Sequence, residues 1–315
     1  MRDSLITVFG GGGFLGKYIT QRLLAAGARV RIAQRNIRGA QDVKPLGNLG
    51  QIQLIATDIR KPDSVARALH RADGAVNLVG ILKGDFDAFH RDGAANIASA
   101  AATAGCGALV QVSAIGADPQ SKSAYGRSKG EGEAAVLAAY PQATILRPSI
   151  VFGREDQFIN RFAGLIASLP IVPIIGGKAK FQPVFVDDVA AAVVASLANP
   201  AVFGGRTFEL GGPEIVSMAE INTRIAAEIG VSPTFIDMPD AVSALMAHGA
   251  GWLPGAPITG DQWAMLQSDN VVANGADGLD ALGIAATPMA AIIGDYLVRY
   301  RKQGRFSVRT KVKPG

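Results

Sequence analysis

Tyr125 and Lys129, four residues apart in YGRSK, are the side chains most able to do proton chemistry. On a helix, positions i and i+4 share a face. A free phenol titrates near 10. A neighbouring ammonium, or the positive charge of an oxidised nicotinamide, favours the phenolate. Such a tyrosine can act as a general acid or base. Of the five tyrosines, only Tyr125 has a lysine four positions on. Ser113, the hydroxyl closing the apolar run ALVQVS (108–113), lies twelve positions before it.

A second constellation opens the chain. The run LITVF (5–9) is followed by Gly10, Gly13 and Gly16, spaced G-x-x-G-x-x-G, with Phe14 and Leu15 at the start of a helical stretch. A strand–glycine turn–helix junction brings backbone amides and the positive end of a helix against a pyrophosphate. The next strand ends in Gln34-Arg35-Asn36, and residues 29–38 hold four arginines and no acid. An NAD site uses an Asp or Glu at this point to hold the ribose 2′-hydroxyl, whereas a guanidinium pairs with a 2′-phosphate. NADP(H) is therefore the expected cofactor, with Arg35 as the main contact, Asn36 beside it and Arg38 in support. Asp58 and Ile59, after the third strand, are placed at the adenine edge. Val79, Gly80 and Pro148 are assigned to the lining of the same site.

These residues need a scaffold that brings strand ends together. Short β-branched runs at 5–9, 29–34, 52–56, 74–80, 108–113 and 143–148 alternate with helical stretches at 14–27, 63–72, 87–104 and 123–139. That rhythm predicts an α/β chain with a doubly wound parallel sheet of Rossmann type. After about residue 150 the rhythm loosens. PIVPIIGG (170–177) reads as a connection, and further strands are read at 181–186, 206–210 and 233–237. The expected division is a nucleotide-binding domain over 1–150 and a smaller lobe over 151–298 interleaved with the sheet. A basic C-terminal tail follows over 299–315.

Composition narrows the alternatives. Apolar residues make up 49% and charged residues 18% of 315, enough for a packed core. One cysteine, Cys106, excludes an intrachain disulfide framework, and three scattered histidines make a metal site improbable. The net charge is +5, but the last 17 residues carry seven Lys or Arg and no acid, leaving the other 298 at −2. A basic surface for nucleic acid is not expected; the terminal cations suit an anionic membrane surface or an acidic partner. The N-terminus enters a strand at once, which predicts no signal peptide. A cytoplasmic location, peripheral at the inner face of a membrane, is the expectation. The apolar segment 241–254 reads as core, with docking on lipid or a partner as the alternative.

Gly10/Gly13/Gly16, Ser113, Tyr125/Lys129 and LRPSIVFG (146–153) together resemble the extended short-chain dehydrogenase/reductase family. That resemblance implies that Tyr125 passes the proton, Lys129 binds the nicotinamide ribose and lowers the phenol pKa, and a serine polarises the substrate carbonyl. The family's run of serines is here Val112-Ser113-Ala114-Ile115-Gly116, so Ile115 stands where the catalytic hydroxyl is expected. His90 stands near a position where the family often has asparagine. VSAIGAD (112–118), YGRSKGEGE (125–133), LRPSIVFGREDQFINRFA (146–163), QPVFVDDVA (182–190) and GDQWAMLQSDNVV (260–272) resemble a narrower branch. It comprises the nucleotide-binding accessory subunit of respiratory complex I and its bacterial relatives.

The resemblance implies an NADP(H)-binding protein with oxidoreductase capacity. Its alternatives are a non-catalytic subunit or assembly factor of a respiratory or ubiquinone-biosynthesis complex, and a sugar-nucleotide-type epimerase or dehydratase. A respiratory-complex or quinone-pathway protein is the implied partner.

Overall fold

The computed structural model describes residues 1–249, 258–302 and 304. They form two compact units, each assembled from separate stretches of chain. Unit 1 comprises residues 1–148, 186–210 and 272–285; unit 2 comprises the remainder.

Unit 1 is a seven-stranded parallel sheet. Its strands are β1 (Leu5–Phe9), β2 (Arg29–Gln34), β3 (Ile52–Ala56), β4 (Gly74–Asn77), β5 (Ala108–Val112) and β6 (Thr144–Pro148), with Thr207–Leu210 as the seventh. From the Thr207–Leu210 edge, the order runs inward through β6, β5 and β4 to β1, then out through β2 to β3. The direction of winding reverses between β4 and β1, and ligands of open α/β sheets bind at the carboxyl ends of strands at such a point. Because every pair is parallel, all the carboxyl ends share one edge. Strand β5 is buried along its whole length, as expected of a sheet covered on both faces.

Four helices connect the first strands: α1 (Phe14–Ala25), α2 (Pro62–Leu69), α3 (Gly93–Thr103) and α4 (Ala124–Ala139). On one face Phe9, Leu69, Ile97, Leu109 and Ile145 form a common core. The helix Val186–Ala198 also packs in unit 1. Its Asp187 accepts two hydrogen bonds from Arg22 of α1, at 2.6 and 2.7 Å. Cys106 is a core residue here; burial pushes its thiol up to about 11.

Several elements are shorter than their patterns, and two of the differences lie near the strand ends that matter here. The strand expected over 74–80 stops at Asn77, whose carboxamide donates to Gln111 Oε1 at 2.8 Å and accepts from Val79 N at 3.0 Å. This side chain substitutes for the ladder and turns the chain. The helix expected over 87–104 begins as a π-helical stretch, Asp87–Asp92, before α3. Such stretches recur at functional sites.

Unit 2 is built on the helices Phe158–Ser168, Met218–Ile229 and Met289–Leu297 around Phe152, Ile159, Ile221, Ile225 and Ile293. The segment 170–177, read as a connection because of its prolines and glycines, contains the strand Ile171–Ile174, paired in parallel with Thr234–Asp237. Among the described residues only two strands meet there, so each is an edge that tolerates Pro173. Asp156 accepts from the amides of Gly153 and Ile159 and from Tyr296 Oη, so the Arg154-Glu155-Asp156 cluster serves a helix start. The first cations of the basic tail are spent inside this unit: Arg299 donates to the Arg154 carbonyl and Arg301 to that of Glu228. Residues 303 and 305–315, and residues 250–254 of the apolar segment, lie outside the described residues. Among the described residues, no helix is long and apolar enough to cross a membrane.

Candidate functional site

Each fingerprint glycine has its own physical reason. Gly10 takes φ +78°, in the left-handed region that disfavours side chains. Its N–H donates to Ala33 O at 2.9 Å and its carbonyl accepts from Gly13 N at 3.1 Å, closing the turn. A Cβ on Gly16 would lie 2.4 Å from the Gly11 carbonyl oxygen, backbone against backbone. Gly13 differs. An added Cβ there would meet only the Gly10 oxygen, at 3.4 Å, and the residue is exposed. Protein packing does not require this glycine, whereas close approach by a ligand would. Helix α1 starts after it with no side-chain cap and no acid in its first turn, so the amides around Phe14 and Leu15 suit an anion. Gly12 N donates to Gln34 Oε1 at 3.0 Å and Gln34 Nε2 donates to Asn36 O at 2.6 Å. Gln34 thus straps the end of β2 to the loop. A pyrophosphate fits this cradle.

At the ends of β2 and β3, Arg35 and Arg60 both lie against the Phe89 ring, their guanidinium carbons 5.2 and 4.9 Å from its centroid. Asp58 accepts from Arg60 through both oxygens, at 3.0 and 2.6 Å. Arg60, aided by its amide, holds that carboxyl at about 2. Asn36 Oδ1 accepts from Arg38 N at 3.1 Å and caps the turn that follows, leaving Arg38 exposed. Ile59 turns its side chain into the core, and its carbonyl accepts from Asn96.

The middle of the edge joins the loop to α4. Val79 lies beside Gly10, 3.5 Å from where a Cβ would sit, and Gly80 faces His90 Nε2 at 3.9 Å by the same measure. His90 is only 3% exposed. Its Nε2 accepts from Ile81 N at 2.9 Å, and its Nδ1 pairs with Ser128 Oγ at 2.8 Å. Ser128 donates in turn to the Tyr125 carbonyl at 2.9 Å. These partners select the neutral tautomer protonated on Nδ1. The imidazole stacks on Phe86 and meets Tyr125 edge-on, with centroids 5.5 Å apart. The His90 stretch can approach α4 because residue 132 is glycine: a Cβ there would fall 2.1 Å from the His90 oxygen.

Burial, with a smaller push from Lys129, lowers His90 to about 4. The sign follows directly. A histidine that folds neutral contributes stability above its unfolded pKa of 6.5, and that stability drains away as pH falls towards 4. We predict a loss on the order of 3 kcal/mol across that window, read from denaturant melts at successive pH values. In a His90→Gln variant that slope should vanish; an unchanged slope would assign it to other groups.

Tyr125 and Lys129 are both on α4, as the spacing predicts. Burial pushes the Tyr125 phenol up to about 12, opposite to the direction expected from a neighbouring ammonium. Lys129, brought down to about 8 by burial against the pull of Glu133, donates to the Val112 carbonyl at 3.0 Å. Ser113 donates its amide to Leu146 O, and its buried hydroxyl has no hydrogen-bond partner among the described residues. Ile115 N donates to Pro148 O at 3.1 Å, which joins the ends of β5 and β6. One turn beyond Lys129, Glu133 is paired with Arg147, the shortest contact being 2.6 Å, and Arg147 also reaches Glu209 at 3.5 Å.

The edge therefore gathers Gly10, Val79, Gly80, His90 and Tyr125 in one connected set, and Arg35 with Asp58 in another. Sequence reading did not single out Gln34, Arg60, Phe86, Phe89 or Ser128. Arg60 had a signal, since it follows Asp58-Ile59 directly; the two phenylalanines had none.

The model of the NAD dependent epimerase/dehydratase family matches residues 6–211. The chain is 33% identical to NADH dehydrogenase (ubiquinone) 1 alpha subcomplex subunit 9 of Arabidopsis thaliana, covering 95% of this chain and 78% of the relative. It is 29% identical to a ceramide reductase of Caulobacter vibrioides, over 75% of this chain and 74% of that protein. Its fold is that of the NADPH-dependent quinone oxidoreductase QOR2 of Escherichia coli, with TM-score 0.73 and 19% identity, covering 91% of this chain and 97% of that one.

Proposed function

We propose that this chain, which belongs to the NAD dependent epimerase/dehydratase family and within it to the branch of the complex I subunit 9 proteins, binds NADP(H) in unit 1 and reduces a carbonyl or quinone. The observation that carries the reading is Gly13. It is the one fingerprint glycine that neither backbone strain nor packing demands, and it sits over uncapped amides, next to an acid-free strand end bearing Arg35.

When bound, the nicotinamide supplies a hydride. Tyr125 supplies the proton: a phenol held at about 12 stays protonated at neutral pH, so it donates and does not accept. His90 and Phe86 hold the phenol ring, and Lys129 stays charged below about pH 8. The names of the relatives support a respiratory-chain or quinone-pathway partner, and with it a place at the inner face of a membrane.

A second reading rests on other contacts. Lys129 is turned to the Val112 carbonyl and Ser113 is buried without a partner among the described residues, while the sequence carries Ile115 where the family resemblance implies a hydroxyl. These favour a subunit that holds NADPH for its fold, stabilised by mass action. Purification followed by cofactor exchange separates the two. Exchanging NADPH with turnover on ketones or quinones supports the enzyme; retained NADPH without turnover supports the subunit. Arg35→Asp is predicted to weaken NADPH by about 100-fold, corresponding to ~3 kcal/mol for hydrogen bonds to charged groups, and to spare NADH. Isothermal titration with both nucleotides checks this, and unchanged NADPH affinity removes Arg35 from the site.

A further inference from the structure

We propose that Arg60 is a second determinant of 2′-phosphate recognition, forming with Arg35 a two-guanidinium clamp built on the Phe89 ring. The inference rests on the reading of unit 1 as an NADP(H) site. It starts from a convergence no local pattern announces. Arg35 follows β2, Arg60 follows β3, and Phe89 belongs to the π-helical stretch after β4, yet both guanidinium carbons lie about 5 Å from one ring centroid. An aromatic face orients a guanidinium without neutralising it. Two such cations drawn to one ring repel each other unless an anion joins them.

One charge is already answered. Asp58 takes Arg60 through two hydrogen bonds, and this matters twice. A bare carboxylate at the end of β3 would repel a 2′-phosphate, and the ion pair cancels that repulsion. The pair also fixes the fork of Arg60, whose side chain remains 44% accessible. Arg35 and Arg60 against Asp58 leave one positive charge, with Asp85 a more distant and weaker partner of Arg60, and Arg38 stands exposed on the neighbouring turn. A phosphomonoester, with two negative charges and three acceptor oxygens, suits that arrangement, whereas a neutral ribose hydroxyl gains little from it.

The test is direct binding, with NADPH and NADH as the probes and no turnover needed. Arg60→Ala should weaken NADPH roughly tenfold and leave NADH unchanged. Arg60→Gln, which keeps a stem over Phe89, should do the same if charge is the cause. The side chain is on the surface, so both variants should melt as the parent does. Equal weakening of both nucleotides would overturn the proposal and make Arg60 a support for the loop. So would unchanged NADPH affinity. If Arg35→Ala loses NADPH selectively while Arg60→Ala does not, Arg60 is excluded and the NADP(H) reading stands. If the parent binds the two nucleotides equally, that reading fails and the clamp fails with it.

Discussion

Tyr125→Phe is expected to lower NADPH-coupled reduction of a ketone or quinone by roughly 10²- to 10⁴-fold, the usual contribution of a positioned acid, with NADPH affinity unchanged. The ring makes the edge-on contacts with His90 and Phe86, and phenylalanine retains it. Only the hydroxyl is lost, so the variant should fold and bind as the parent does. Steady-state rates and nucleotide titrations, measured side by side, decide the matter. Because burial holds the phenol at about 12, it is protonated and able to donate at neutral pH. Parental turnover in the variant would take the proton away from Tyr125. Absence of turnover in both proteins, with tight NADPH, would leave the structural subunit.

The second large effect concerns stability. Glu133 has only 8% of its side chain exposed and holds Arg147 through both oxygens. Removing Glu133 leaves the half-buried Arg147 only its longer contact to Glu209, at a cost of about 1–3 kcal/mol. Glu133→Ala should therefore destabilise unit 1 by that amount in urea melts. Glu209→Ala should cost clearly less, since its contact to Arg147 is the longer one at 3.5 Å. Equal losses would mean either that the carboxylates share Arg147 evenly or that the Ala273 amide, which donates to Glu209 at 2.9 Å, makes up the difference. Glu133 also pulls upward on the Lys129 pKa, so its removal should lower that pKa further.

Much of the scaffold was legible because its signals are local. The alternation of β-branched and helical runs places β1, β2 and β3 at their observed ranges and β6 within one residue of its own, because parallel strands are rich in β-branched residues whether central, like β1, or at the edge, like β3. The errors have one local and one distant cause. Asn77 ends β4 through its own side chain, and Ile171–Ile174 forms a strand despite Pro173 because its pairing partner is some sixty residues away.

The candidate site divides along the same line. The glycine turn, the acid-free end of β2 and the i,i+4 relation of Tyr125 to Lys129 involve neighbours along the chain, so residue type and spacing were enough to determine them. Folding alone decided that Lys129 reaches Val112, that His90 is neutral and braced by Ile81 and Ser128, and that Arg35 and Arg60 meet on Phe89. A parallel sheet brings the ends of distant strands to one edge, and burial there sets the protonation of whatever it collects. Neither the meeting nor the desolvation is written in any short stretch of residues.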